Sequence, residues 1–205
     1  MIKKIKELLQ GVEYKMWEDE TNIQLFREEY PGYYPEDYIG VDITDRYIVY
    51  EGHRDNKYVV LETKDPEEAA LYTVILFHRL WVYEGDYTTA GSVGEYVDNG
   101  QVEKALDLIK RDIDDSYISM HYEEPSKISF LQRGAEVDIK YDGRYIVERR
   151  SLSHGYAILY NYARELQYIT TYFDEIKDEI SISVNREDIC RLYIFMDLKY
   201  IIRSE

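Results

Sequence analysis

Histidine, cysteine and clustered aspartate are the residues in this chain that could support acid–base, nucleophilic or metal chemistry. The four histidines are dispersed and show no His-Glu-x-x-His or comparable metal spacing. Cys190 is the only cysteine, which excludes an intramolecular disulfide and a cysteine metal cluster. It lies on the apolar side of the last predicted helix, where an inert buried thiol is expected. The histidines are His53, His78, His121 and His154.

Two short motifs resemble ligand-binding loops but lack the residues that such loops need. Gly91-Ser92-Val93-Gly94 has no phosphate-loop lysine and not the spacing of a dinucleotide fingerprint. Asp112, Asp114 and Asp115 resemble the opening of a calcium loop, but the required glycine and closing glutamate do not follow. We interpret the glycines as a linker and the aspartates as solvated residues at a helix end. The sequence therefore predicts no catalytic residue, no metal, no cofactor and no enzyme.

The strongest binding signal is an acidic segment rich in tyrosine. Residues 13–37 include eight acids, opposed only by Lys15 and Arg27. Within and just beyond this stretch, residues 30–38 contain two prolines and a glycine, which predict a loop whose tyrosines are difficult to bury completely. Tyrosine in a stiff loop is typical of interface hot spots, although such a loop could also fold back as a lid on its own sheet. The predicted partner-binding residues are Glu28, Glu29, Tyr30, Tyr33, Tyr34, Glu36, Asp37 and Tyr38.

The charge balance indicates what kind of partner the chain prefers. Lys and Arg number 25 against 41 Asp and Glu, a formal net charge of −16. This charge repels nucleic acid and anionic lipid and attracts a basic protein. Two further stretches, 80–103 and 112–126, contain no Lys or Arg. The alternative is that the acidity only keeps the protein soluble.

Hydrophobic periodicity predicts an α+β fold with antiparallel sheets and packed helices. Arg-Tyr-Ile-Val occurs at 46–49 and again at 144–147, each time after a turn signal. Helical spacing near 2–9 recurs near 102–109, and each half ends in a predicted helix. These closing helices are expected at about 65–83 and 186–203. The predicted core residues are Tyr47, Val49, Leu71, Ile75, Phe77, Leu192, Phe195 and Leu198.

The shared order of elements favours two diverged copies of one helix–strands–helix unit, that is, a tandem duplication. The first unit is expected at 1–84, a linker at 85–100, and the second unit at 101–205 with an insertion at about 150–178. The alternative is a single α+β domain with recurring tyrosine-rich strands.

Nothing in the sequence indicates export or membrane insertion. Residues 1–9 predict an amphipathic helix and not a signal peptide. No segment approaches the roughly 18 apolar residues that span a bilayer. A cytoplasmic location is expected.

Residues 45–80 carry a resemblance to a known class of proteins. Asp45-Arg46-Tyr47-Ile48-Val49-Tyr50-Glu51-Gly52 leads to a Thr63-Lys64-Asp65 turn and a helix with Glu68-Ala69-Ala70-Leu71-Tyr72. This run resembles certain immunity proteins of bacterial polymorphic-toxin systems. At 148–150 the second half departs from it, with Glu-Arg-Arg in place of Tyr-Glu-Gly.

The resemblance implies a cytoplasmic, non-enzymatic antitoxin-type inhibitor that binds and blocks a cognate toxin domain. The acidic stretches interleaved with tyrosine indicate that this toxin is basic, with a nuclease expected, because carboxylates can occupy phosphate sites. The alternative from composition is an acidic mimic of DNA that inhibits a nucleic-acid-binding protein. A mimic requires carboxylates spaced like phosphates along one face.

Overall fold

A computed structural model describes residues 1–27, 36–54 and 56–195. The fold is α+β, as predicted, with one five-stranded antiparallel sheet and one four-stranded mixed sheet. These residues divide into two compact units. The first contains residues 1–83 and 174–185, and the second contains residues 84–173 and the helix that begins at Arg186.

The elements follow one another in this order: α1 (Ile2–Leu8), β1 (Lys15–Glu18), β2 (Asn22–Phe26), β3 (Asp37–Ile43), β4 (Tyr47–His53), β5 (Asn56–Thr63), α2 (Pro66–Phe77), α3 (Tyr87–Asp98), α4 (Val102–Asp112), β6 (Ile118–Ser119), β7 (Ile128–Arg133), β8 (Glu136–Tyr141), β9 (Arg144–Ser151), α5 (Leu152–Ile176) and α6 (Arg186–Phe195). A π-helical turn, His78–Val82, continues α2.

The first unit is a β-meander covered on one face by α2. Strands β1 to β5 pair in sequence order, each antiparallel to the next. Helix α2 packs on β3, β4 and β5, and α1 packs on α2. Since α2 has neighbours on two sides, nearly all of its residues after the first turn are buried.

Local capping explains where α2 begins. The Asp65 carboxylate accepts hydrogen bonds from the backbone amides of Glu67 and Glu68 at 2.8 and 3.3 Å. Pro66 occupies the first turn, where its missing N–H leaves no hydrogen bond unmade. The expected start of the first closing helix at about residue 65 is confirmed.

The second unit is organised around α5. Its sheet has the order β6-β7-β8-β9, with β6 parallel to β7 and the other pairs antiparallel. The Phe130 ring of β7 and the Tyr156 ring of α5 have centroids 4.6 Å apart. Buried residues recur every three or four positions from Tyr156 to Ile176. The segment predicted as an insertion therefore supplies the central helix of this unit.

Most of the predicted core positions are buried. Val49, Leu71, Ile75, Phe77 and Phe195 are almost fully buried. Tyr47 and Leu192 are half-buried. Leu198 lies outside the described residues.

The prediction of a linker at 85–100 is wrong, because α3 occupies most of it and belongs to the second unit. The Asp86 carboxylate caps α3 by accepting from the Thr89 amide at 2.9 Å. A Cβ added at Gly94 would lie 3.3 Å from the Ser153 carbonyl oxygen. Gly94 therefore lets α3 approach α5 closely, and a larger residue would crowd this contact.

The two Arg-Tyr strands have different surroundings. Strand β4 lies between β3 and β5, whereas β9 pairs only with β8 among the described residues. Along the chain, β5 comes between β4 and α2, whereas β9 is followed directly by α5. Descent of both halves from one duplicated unit stays a prediction.

Two helical glycines of the second unit should respond oppositely to alanine. Gly91→Ala should stabilise the protein by up to about 1 kcal/mol, because alanine is the better helix former and nothing lies within 4 Å of the added Cβ. Gly155→Ala should destabilise it by about 1–3 kcal/mol through overpacking, because the new Cβ would lie 2.0 Å from Val137 Cγ1. Urea unfolding of both variants measures the difference. Equal shifts of the two midpoints would contradict this packing.

Candidate functional site

Three of the eight predicted partner-binding residues are described, and they stand together at the start of β3. They are Glu36, Asp37 and Tyr38. The other five, Glu28, Glu29, Tyr30, Tyr33 and Tyr34, lie outside the described residues.

Glu36 and Asp37 are exposed but already have basic partners on the adjoining end of β4. Glu36 Oε1 lies 3.3 Å from Arg54 Nη2, and Asp37 Oδ1 lies 2.6 Å from His53 Nδ1. The exposed fractions of the four side chains range from 45% to 65%. The Glu36–Arg54 ion pair is exposed enough to contribute only about 0–1 kcal/mol, so a partner's cation can replace Arg54 at small cost.

Tyr38 faces inward and is only 5% exposed, so it offers almost no contact area in this structure. Its ring lies over Gly52, its cross-strand partner, where an added Cβ would come within 2.2 Å of Cζ. We therefore remove Tyr38 from the proposed contact surface. The tyrosine-rich composition of residues 30–38 did not reveal this because it says nothing about which strand face each ring occupies.

Tyr38 and Tyr50 form a crossed pair on one face of the five-stranded sheet, in a buried cluster with Phe26. Tyr50 on β4 covers Gly40 on β3, as Tyr38 on β3 covers Gly52 on β4. The two ring centroids lie 6.1 Å apart in an edge-to-face arrangement. Each glycine leaves room for the neighbouring ring, so the pair locks the register of β3 against β4. This fixes the position of Glu36 and Asp37.

A polar cluster holds the tip of the Tyr50 ring. Its hydroxyl donates to Asp42 Oδ1 at 3.1 Å and accepts from Asn22 Nδ2 at 3.0 Å. Lys57 Nζ donates to the same carboxylate at 2.7 Å and lies 4.3 Å from the Tyr50 ring centroid. Burial raises the pKa of the Tyr50 hydroxyl, which therefore stays protonated and acts as a donor.

The stretch without Lys or Arg at 80–103 supplies a second acidic surface, on α3. Glu95 and Asp98 are exposed on this helix, and Tyr87 at its start is 75% exposed. Asp86 instead caps the helix, and hydrogen bonds from Thr89 lower its pKa. The sequence showed the acids but not the helix that presents them, because glycines at 91 and 94 suggested a linker.

Asp112 and Asp114 line a cleft of about 560 Å³ in the second unit. Asp112 accepts from Arg111 Nε at 2.7 Å and from the Tyr160 hydroxyl at 2.8 Å. The pKa of Asp112 is lowered, and the hydrogen bond from Arg111 contributes most to this shift. The Asp114 carboxylate accepts from the Ser116 amide at 2.8 Å. Both aspartates therefore organise local structure.

The histidines and the cysteine occupy separate places in the structure. His78 is buried, and burial lowers its pKa to about 4. His154 Nδ1 lies 3.3 Å from Ser151 Oγ, and His121 is exposed. Cys190 is buried, with Sγ 3.6 Å from Thr170 Oγ1. Within residues 1–27, 36–54 and 56–195, no group of three His, Cys, Asp or Glu side chains is arranged to hold a metal ion.

Comparisons with known proteins do not place the chain in a family. No protein-family model, curated protein or solved structure matches it significantly. In the described part of the chain, no helix is both long and apolar enough to cross a membrane.

Proposed function

We propose that this chain is a non-enzymatic, cytoplasmic immunity protein that binds and blocks a basic toxin domain, with a nuclease as the expected toxin. The observation that carries the proposal is the exposed Glu36–Asp37 pair at a strand end that is paired with the neighbouring strand. The acidic, tyrosine-rich residues 28–35 come directly before this pair in the sequence. The proposed contact residues are Glu28, Glu29, Tyr30, Tyr33, Tyr34, Glu36 and Asp37.

The start of β3 is paired with the end of β4, which holds Glu36 and Asp37 in place. This favours binding, because the chain then loses less conformational entropy on association. The crossed tyrosines hold β3 in register before a partner arrives. The carboxylates of Glu36 and Asp37 can exchange Arg54 and His53 for the partner's cations. An inhibitor of a nuclease benefits from this chemistry because carboxylates can occupy the sites that bind phosphates.

The net charge of −16 supports a basic partner through long-range attraction. Such attraction accelerates encounter more than it strengthens the final complex. It weakens with salt, since the Debye length falls from about 10 Å at 0.1 M to about 3 Å at 1 M ionic strength.

Co-expression with the protein encoded immediately upstream tests the proposal. That protein should arrest growth when expressed alone, and this chain should restore growth and co-purify with it. If the upstream product is harmless alone, or fully toxic beside this chain, the immunity function is rejected. Inhibition of a nucleic-acid-binding protein by DNA mimicry then becomes the better hypothesis.

Neutralising the strand-end acids should slow association with the toxin. The double variant Glu36→Gln, Asp37→Asn removes two negative charges, and its association rate at low salt should fall about three- to tenfold because steering is lost. Stopped-flow or surface-binding kinetics at several salt concentrations measure the effect, which should shrink as salt rises.

The matched control places the same charge change on α3. Glu95→Gln with Asp98→Asn also removes two exposed carboxylates, so the net charge of both double variants is equal. If binding centres on the β3 end, the α3 variant keeps an association rate within about twofold of the unmodified chain. A larger loss in the α3 variant would move the binding surface to that helix.

A further inference from the structure

The two sheets expose four edge strands, and three of them carry features that oppose the addition of another strand. An edge presents unpaired backbone N–H and C=O groups to any extended chain that reaches it. Within the described residues, the edges are β1 and β5 in the first unit and β6 and β9 in the second. Strand β1 has four residues and β6 has two, which are too short to guide a long ladder.

Strand β9 is long but protected by charge and by a bulge. Four of its eight residues are Arg or Glu, and Arg149 has a left-handed backbone with φ of 52°. The Asp138 carboxylate accepts the Arg149 amide at 2.9 Å, and Glu136 accepts from its guanidinium at 2.9 Å. These contacts hold β9 in an irregular conformation, which prevents an added strand from forming regular hydrogen bonds along its outer edge.

Strand β5 is longer than β1 and β6, and it has half as many charged residues as β9. It has eight residues, and four consecutive positions, Tyr58 to Leu61, are apolar. Val59 is 50% exposed, although β-branched residues of this kind favour a paired strand. Lys57 and Glu62 on either side are also exposed. The one irregularity is the extra residue Val60, where two residues of β5 stand opposite one of β4.

We infer that β5 is a docking edge to which a basic partner adds an extended strand. Main-chain hydrogen bonds supply the affinity in this mode, and the exposed apolar side chains supply selectivity. A second copy of this chain is disfavoured as the occupant because two bodies of charge −16 repel each other. The identity of the partner as a toxin rests on the proposed function, whereas the docking edge itself does not.

A designed peptide tests the edge without knowledge of the natural partner. The probe is Lys-Thr-Val-Thr-Val-Thr-Lys, which is extended and basic, and its control replaces the central threonine by proline at the same charge. Titration into the full-length, isotope-labelled chain should shift backbone amide resonances of residues 56–63. The proline peptide should not shift them, because it lacks a donor and breaks the ladder.

A pair of variants separates strand pairing from general attraction. Val59→Lys places a lysine on the edge and should weaken peptide binding at least about fivefold, since lysine is a common guard of exposed edges. Leu80→Lys makes the same charge change at another exposed apolar residue of the first unit and should alter affinity less than about twofold. Equal losses in the two variants would overturn the inference.

Three other outcomes would also overturn the inference. They are unchanged β5 amides, shifts confined to β9, and β5 shifts that depend on protein concentration without peptide, which would assign the edge to a second copy. The result is independent of the co-expression assay. Growth rescue with a toxin complex that leaves β5 amides unchanged rejects the docking edge and retains the immunity function. Peptide binding at β5 without growth rescue rejects the immunity function alone.

Discussion

Replacing Tyr50 by alanine should lower the free energy of unfolding by about 3–5 kcal/mol, the usual cost of removing a large buried aromatic ring. The ring is fully buried and fills the space over Gly40. Because glycine has no side chain, Gly40 cannot fill the cavity that the ring would leave. Its loss also removes the edge-to-face contact with the Tyr38 ring. Urea unfolding followed by circular dichroism measures the change.

Tyr50→Phe is the matched control, because it keeps the ring and removes only the hydroxyl. The hydroxyl links Asp42 and Asn22, so its loss should cost about 1.5–3 kcal/mol, the usual range for a hydrogen bond with a charged partner. Equal destabilisation by phenylalanine and alanine would show that the polar cluster, and not the crossed rings, stabilises this face of the sheet.

The second large effect is a loss of stability on mild acidification, caused by His78. Burial lowers the pKa of this histidine to about 4 in the folded protein, below its ordinary value of 6.5. The unfolded chain therefore binds one more proton between pH 6.5 and 4. The contribution of neutral His78 is complete above pH 6.5 and is lost progressively as the pH falls towards 4. The loss should reach roughly 2 kcal/mol at pH 5.

The variant His78→Gln isolates this contribution, since glutamine is polar but does not titrate. Its free energy of unfolding should change less between pH 7 and pH 5 than that of the unmodified chain. Most carboxylates remain ionised in that window, so they contribute little to the difference. Parallel pH profiles for the two proteins would show that His78 titrates normally in the folded state.

Much of the fold could be predicted because local chemistry and burial agree in several elements. Alternation along β4 placed Val49 in the core, and helical spacing placed the first closing helix at about 65–83, where α2 begins at Pro66. The α3 helix could not be predicted in the same way. Gly94 lies against Ser153, which is far along the chain, and residue spacing carries no information about such a contact.

The candidate site was predictable only to the level of a segment. Charge and turn residues indicated the acidic, tyrosine-rich region, and Glu36 and Asp37 are exposed there. The inward placement of Tyr38 depends on pairing with Gly52 across the sheet. The partners of the two acids, Arg54 and His53, likewise come from cross-strand register. Register follows from the assembled sheet, so no local pattern could supply these pairs.

The first unit takes its final residues, 174–185, from far along the chain. Lys4 Nζ donates to the Glu179 carbonyl oxygen at 2.6 Å, and the Ser181 amide donates to the Glu67 carboxylate at 3.0 Å. At a synthesis rate of about 5–20 residues per second, the ribosome takes roughly 5–20 s to make the residues between 83 and 174. Throughout that interval the nascent five-stranded sheet lacks its closing segment. Most of the second unit is thus translated before the first can be completed, so the two cannot mature strictly one after the other.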